Sequence, residues 1–168
     1  KSYLTFALYH YLHVEKGLDI HVTGVDLKKE VIEHCNEIAR DLHYNRLEFL
    51  VGDINDFNDE TKVDMIVTLH ACDVATDMAI ARAVKWDAKV ILSVPCCQHE
   101  LNRQIDAPNL NVMLQHGLIR ERFAALATDS IRAEILKLVG YETQLVEFID
   151  MENTPKNILI RAYYNGKK

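Results

Sequence analysis

Apolar residues recur at helical spacing over Lys1–Lys16, where Tyr3, Leu4, Ala7, Leu8, Tyr11 and Leu12 share one stripe. Gly17 is placed to stop that helix. Ile20–Val25 then reads as a strand ending at Asp26, and Leu27–Leu42 as an amphipathic helix with Val31, Ile32, Cys35, Ile38, Ala39 and Leu42 inward. Leu47–Val51 is a further strand, closing on Gly52 and Asp53. Val63–Leu69 and Ala88–Val94 are short β-branched runs of the kind buried on both faces of a parallel sheet. Between them Ala75–Val84 reads as a helix, so about thirty residues form a βαβ unit. Gln98–Gly117, with Pro108 and several asparagines, lacks a clear period and is expected to be a lid or substrate loop. Leu118–Leu138 reads as a long helix closed by Gly140. Tyr141–Ile149 and Asn157–Tyr164 read as strands whose short connector, Asp150–Lys156, fits an antiparallel hairpin.

Helices alternating with strands predict an α/β fold around a doubly wound parallel sheet, made mixed by the terminal hairpin. In such sheets ligands sit beyond the carboxyl ends of the strands. Here those ends are His70–Asp77 and Pro95–His99, which carry three of the four cysteines.

A chain of 168 residues, 49 % of them hydrophobic, is enough for one domain with a sizeable core. The net charge of −6 offers no general field for nucleic acid or an anionic membrane. Arg120, Arg122, Arg132 and Lys137 are interleaved with Glu121, Asp129 and Glu134, the pattern of a solvated helix face. No run approaches the roughly 18 apolar residues of a membrane span. Four cysteines in an α/β pattern suggest reduced thiols and a cytoplasmic protein.

Two acids end successive strands. Asp26 is suited either to accept hydrogen bonds from ribose hydroxyls or to cap the following helix. Asp53 is suited either to an amino group of a base or to a turn into Ile54-Asn55-Asp56, with Gly52 allowing close backbone approach. His70, Cys72, Asp73 and Asp77, joined by Cys96, Cys97 and His99, have zinc-ligand chemistry. However, there is no Cys-x-x-Cys pair, and adjacent cysteines are expected to point apart, so no metal is expected. A Cys–His nucleophilic pair lacks any sign of an activated thiolate. No Gly-x-Gly-x-x-Gly or Walker loop occurs.

These landmarks together resemble the class I S-adenosylmethionine-dependent methyltransferases. They are Val25-Asp26-Leu27, Gly52-Asp53-Ile54, Leu69-His70-Ala71-Cys72-Asp73 and the closing hairpin. More narrowly, His70-Ala71-Cys72-Asp73-Val74-Ala75-Thr76-Asp77, Pro95-Cys96-Cys97 and Thr154-Pro155-Lys156-Asn157 resemble the type 32 family, which includes tRNA 2'-O-methyltransferases. The resemblance implies a Rossmann-like fold, a mixed seven-stranded sheet, with the first strand and its glycine loop lying upstream of Lys1. On that basis residues 1–168 are expected to be a single, N-terminally truncated domain. Its strands at Ile20 and Val63 would flank an empty slot and favour low stability or a borrowed strand.

The resemblance also implies S-adenosyl-L-methionine as cofactor. Lys1 and Ser2 would begin the first helix beside it, Asp26 would hold the ribose, and Leu27 would pack on the adenine. Asp53 and Ile54 would meet the adenine amino group and ring, and Leu69 and His70 the methionine part. Asp73, Asp77, Cys96 and Cys97 would face the substrate, with His70 or His99 as a base. The expected activity is methyl transfer to an unidentified acceptor, RNA or protein, with neither DNA nor membrane as partner. Cys96-Cys97-Gln98-His99 departs from the Cys-Cys-His-His element of the tRNA enzymes, which weakens the case for tRNA. The alternative is an inactive methyltransferase-like binding or scaffold domain. A nicotinamide-linked oxidoreductase fits the terminal hairpin and Asp53 less well.

Overall fold

The computed structural model describes residues 2–57, 62–69, 71, 74–150, 152, 154 and 157–166. Contacts divide the chain into two compact units, residues 1–57 and 58–168.

In the first unit, α1 (Tyr3–Tyr9) continues without a break into a π-helical stretch, His10–Glu15. The expected single helix is therefore wound more loosely in its second half, and Gly17 ends it at φ 66°. Strand β1 (Val22–Asp26) is followed by α2 (Lys29–Asp41) and β2 (Leu47–Val51). The two strands are parallel, and Asp26 lies opposite Val51. Tyr9, Ile32, Cys35, Ala39, Leu47 and Phe49 form the core, flanked by Phe6, Ile20, Val22, Val31 and Tyr44. Cys35 is a small apolar core residue, 2 % exposed. The Asn36 side chain lies along β2, donating to the Phe49 carbonyl at 2.8 Å and accepting from the Phe49 amide at 2.9 Å.

The second unit contains β3 (Met65–Leu69), α3 (Val74–Lys85), β4 (Val90–Val94), α4 (His99–Gln104), α5 (Asn111–Leu114), α6 (Gly117–Leu138), β5 (Tyr141–Glu147) and β6 (Ile158–Tyr164). Its sheet runs β3-β4-β6-β5. β3 and β4 are parallel, while β6 is antiparallel to both β4 and β5. The terminal hairpin is present, and its strands do not sit in chain order, because β6 inserts between β4 and β5. Ile91, Leu136, Ile160 and Ala162 are fully buried, as is Ala83 on α3.

Among the described residues there are six strands in two sheets, with β1 and β3 in different sheets. Two expectations change. β3 is an edge strand and only Ile66 in it is buried, whereas β4 carries three buried residues. A short apolar run does not distinguish the two, since its neighbours decide how many faces are covered. Gln98–Gly117 is not a loop. It holds α4, a 3₁₀ turn at Pro108–Leu110, and α5, pieces too short for a period to register. Arg120 on α6 ties this region down by donating to the carbonyls of Asn102 and Ile105, both at 2.9 Å.

Candidate functional site

Each unit places chemistry-bearing residues at the carboxyl ends of its parallel strands. In residues 1–57 these are Asp26 and Asp53. The Gly52 amide donates to the Asp26 carbonyl at 3.2 Å, which holds the two strand ends together. The Asp26 carboxylate accepts from the Lys28 amide at 2.9 Å through Oδ1. It thereby closes a turn and is not the helix cap, a position taken by Lys28. Asp53 caps the 3₁₀ turn Ile54–Asp56, its Oδ1 accepting from the amide and the side chain of Asn55, both at 2.8 Å, while its own amide donates to Asp56. Among the described residues the local bonds of both carboxylates run through Oδ1, and both residues are half-buried. Leu27 is 71 % exposed beside Asp26, an apolar surface next to a polar acceptor. A Cβ on Gly52 would come no nearer than 3.4 Å to Asp56, so packing within the chain does not demand glycine there.

In residues 58–168 the strand ends are Leu69 and Val94. Lys1, His70, Cys72 and Asp73 lie outside the described residues. Thr68 and Ser93, paired in register, share a hydroxyl–hydroxyl bond of 2.8 Å at the end of β3 and β4. Thr76 is fully buried and donates to the Ala71 carbonyl at 2.6 Å. Asp77, one residue on, receives the Arg132 guanidinium in a two-pronged contact of 2.7 and 3.0 Å. Arg132 also donates to Asp129 at 3.1 Å, and both carboxylate oxygens of Asp129 accept from the Gln98 side-chain nitrogen at 3.1 Å. One chain of contacts, buried at Arg132, Asp129 and Gln98 and half-exposed at Asp77, thus joins α3, the loop after β4 and α6.

Arg132 is only 4 % exposed and Asp129 3 %, which overturns the solvated-face reading for these two residues, while Glu121, Arg122, Glu134 and Lys137 are exposed as expected. At Asp129 and Arg132 the pairing faces inward, where the arginine fork meets two carboxylates. Burial pulls the Arg132 pKa down. The hydrogen bonds and charges of Asp77 and Asp129 outweigh it and hold the guanidinium above its usual value. The Asp129 contact sets the direction of the Gln98 amide, because a carboxylate accepts from nitrogen and repels oxygen. Gln98 Oε1 is consequently buried with no donor among the described residues.

Cys96 and Cys97 do not point apart as expected. Their sulfurs approach to 3.6 Å, both half-buried, because the loop between buried Pro95 and buried Gln98 turns both side chains to one side. Among the described residues no group of three or more histidine, cysteine or acidic side chains gathers as a metal site. Ser2 precedes α1 in a left-handed conformation, φ 62°. Ile54 lies in the turn capped by Asp53, and Leu69 is 43 % exposed at the end of β3. His99 opens α4 and is exposed. Asn157, from the Thr154–Asn157 motif, is buried and pins the hairpin connector by donating to Glu147 at 2.5 Å and to the Ile149 carbonyl at 2.8 Å. Sequence reasoning missed Gln98, Asp129 and Arg132. Their signal was the i,i+3 spacing of Asp129 and Arg132, which a surface pair shares.

Comparison with known proteins yields a family model described as "Methyltransferase domain", matched over residues 1–104. No curated protein matches the chain. A methyltransferase from Geobacter sulfurreducens, of known crystal structure, aligns with a TM-score of 0.45 and 16 % identity over 86 % of this chain. The chain spans 58 % of that protein's length. The matched residues 1–104 make up more than half of the chain and contain both strand-end aspartates and the His70–Asp77 segment, and the chain belongs to this methyltransferase-domain family.

Proposed function

We propose that the chain is an S-adenosylmethionine-dependent methyltransferase acting in the cytoplasm on an RNA acceptor. The family match over residues 1–104 is the observation that supports methyl transfer. The RNA acceptor rests on the resemblance of the His70–Asp77 and Pro95–Cys97 motifs to those of RNA-modifying members of the family. The donor set at the strand ends fits the cofactor. Two half-buried carboxylates, whose local bonds run through Oδ1, next to the exposed apolar Leu27, suit a molecule with ribose hydroxyls, an amino group and a flat ring.

S-adenosylmethionine, when bound, supplies a methyl group on a cationic sulfonium. In this reading Asp26 accepts from the ribose hydroxyls and Leu27 lies on the adenine, while Asp53 and Ile54 recognise the amino group and ring. Ser2, and Lys1 before it, belong to the same set. In residues 58–168, Leu69 and His70 meet the methionine part, and Asp73, Asp77, Cys96 and Cys97 are on the acceptor side. The protein's main contribution is alignment, which supplies about 7–11 kcal/mol when donor and acceptor are held for in-line attack. A hydroxyl acceptor must also lose a proton, and His70 or His99 is the base for it. Arg132 keeps Asp77 and Gln98 fixed, so the acceptor side does not have to order itself during the reaction.

The test is transfer of labelled methyl from S-adenosylmethionine to separate RNA and protein pools, followed by nuclease or protease digestion. Label released by nuclease is expected. Label released only by protease would move the acceptor to protein, and label in neither, from protein that binds the cofactor product, would contradict the RNA reading.

A further inference from the structure

We infer that Cys96 and Cys97 form a dithiol site for a soft, thiophilic d¹⁰ metal ion of the zinc and cadmium type. Two sulfurs bound to one tetrahedral centre, with metal–sulfur bonds of ~2.3 Å, are about 3.8 Å apart. The two thiols stand at 3.6 Å before any metal is added, far beyond a sulfur–sulfur bond of about 2.05 Å. Adjacent cysteines on an extended segment alternate sides, so this convergence depends on the loop. Pro95 is buried at its start. Gln98 is buried at its end and anchored on Asp129, itself paired with buried Arg132. The backbone between the two anchors is thereby held with both sulfurs on the same side and half-buried, reachable from solvent. The objection to a metal raised by the sequence, that the thiols diverge, is removed.

Binding converts two thiols to thiolates and releases two protons, with no change in oxidation state. Among the described residues, Cys96 and Cys97 supply two of the four tetrahedral positions. The other positions are open to water or to a thiolate or imidazole donor. It lies after β4, at the strand end where α/β sheets bind ligands. The inference stands independently of the methyl-transfer reading, since it uses only the geometry of residues 95–98 and their buried anchors.

The experiment is titration of the reduced, chelator-treated intact protein with Cd²⁺, following the ultraviolet absorption of cadmium–thiolate bonds. The absorption is expected to rise to one equivalent, to be lost in Cys96→Ser and in Cys97→Ser, and to persist in the paired Cys35→Ser, Cys72→Ser variant. Because Cys35 is a core residue, alkylation of the native sequence provides a second measurement that needs no variant. One equivalent of Cd²⁺ should protect Cys96 and Cys97 from iodoacetamide, as read by peptide mass spectrometry. No absorption at one equivalent, absorption surviving in the Cys96→Ser, Cys97→Ser double variant, or protection at Cys35 and Cys72 instead, would overturn the assignment.

Discussion

Gly24 and Arg132 show how differently single residues declare themselves. Gly24 sits in the middle of β1, where glycine normally weakens a strand. A Cβ built there would fall 2.4 Å from Cδ1 of Phe49, the aromatic core residue paired with it in register. The glycine exists so that Phe49 can lie across the strand. Gly24→Ala is expected to cost about 1–3 kcal/mol through overpacking, measured by urea denaturation. A neutral result would mean that Phe49 can swing aside. Arg132 presents the opposite case, a charge that reads as surface and is buried. Arg132→Met would leave Asp129 with an uncompensated buried charge and is expected to destabilise the fold by about 3–5 kcal/mol. Arg132→Lys, which keeps the charge but loses the fork on Asp77, should fall between it and the native protein. Equal stability of all three would contradict the network. No periodicity argument separates an inward from an outward ion pair on a long helix, because both need the same residues at the same spacing.

At the scale of elements, the edge of β2 is closed by a side chain. Asn36, from α2, satisfies both backbone groups of Phe49 and so occupies the position of a neighbouring strand. Asn36→Ala is expected to cost about 1–3 kcal/mol, since it leaves a carbonyl and an amide unpaired, and to speed hydrogen exchange at the Phe49 amide. Unchanged exchange there would show that the edge is protected otherwise. Across β1 and β2, Glu48 accepts from His21 at 2.9 Å and from Thr23 at 3.1 Å. The His21 hydrogen bond is the main influence lowering the Glu48 pKa, partly opposed by burial. A lowered carboxylate pKa stabilises the fold above the ordinary glutamate value, and that contribution is lost as pH falls through the folded-state value. The groups are half-exposed, so the effect is expected to be a few tenths of a kcal/mol and to fade with salt. An acid titration of stability in Glu48→Gln against the native protein checks it.

Most elements were legible from apolar spacing, and β2 at Leu47–Val51 agrees with the sequence expectation to the residue. Asp26 ends β1 as read in the sequence, and Asp53 follows β2 by two residues, capping the 3₁₀ turn after it. The π-helical stretch at His10–Glu15 and the short helices α4 and α5 were not legible, the first because apolar spacing barely differs between the two helix types over six residues.

For the whole molecule, alternation of helix and strand pointed correctly to α/β architecture and to a terminal antiparallel hairpin, and the motif residues pointed to the family that the match over residues 1–104 establishes. Strand order was beyond composition and period. Insertion of β6 between β4 and β5 depends on which edges are left to pair, a property of the assembled sheet. The split into units 1–57 and 58–168 likewise depends on contacts that no local pattern encodes. What joins fold to function is whether Asp26 receives the ribose of the cofactor. The most direct measurement is calorimetric titration of S-adenosylhomocysteine into the intact protein and its Asp26→Asn variant. Asparagine keeps the Oδ1 acceptor for the Lys28 amide but places a donor where the second carboxylate oxygen stood. Micromolar binding by the native protein, weakened about tenfold or more in the variant, is the expected result, a loss of about 1.4 kcal/mol or more. Equal affinity in both would contradict the assignment of Asp26, and no binding by a folded native protein would contradict the cofactor-dependent enzyme itself.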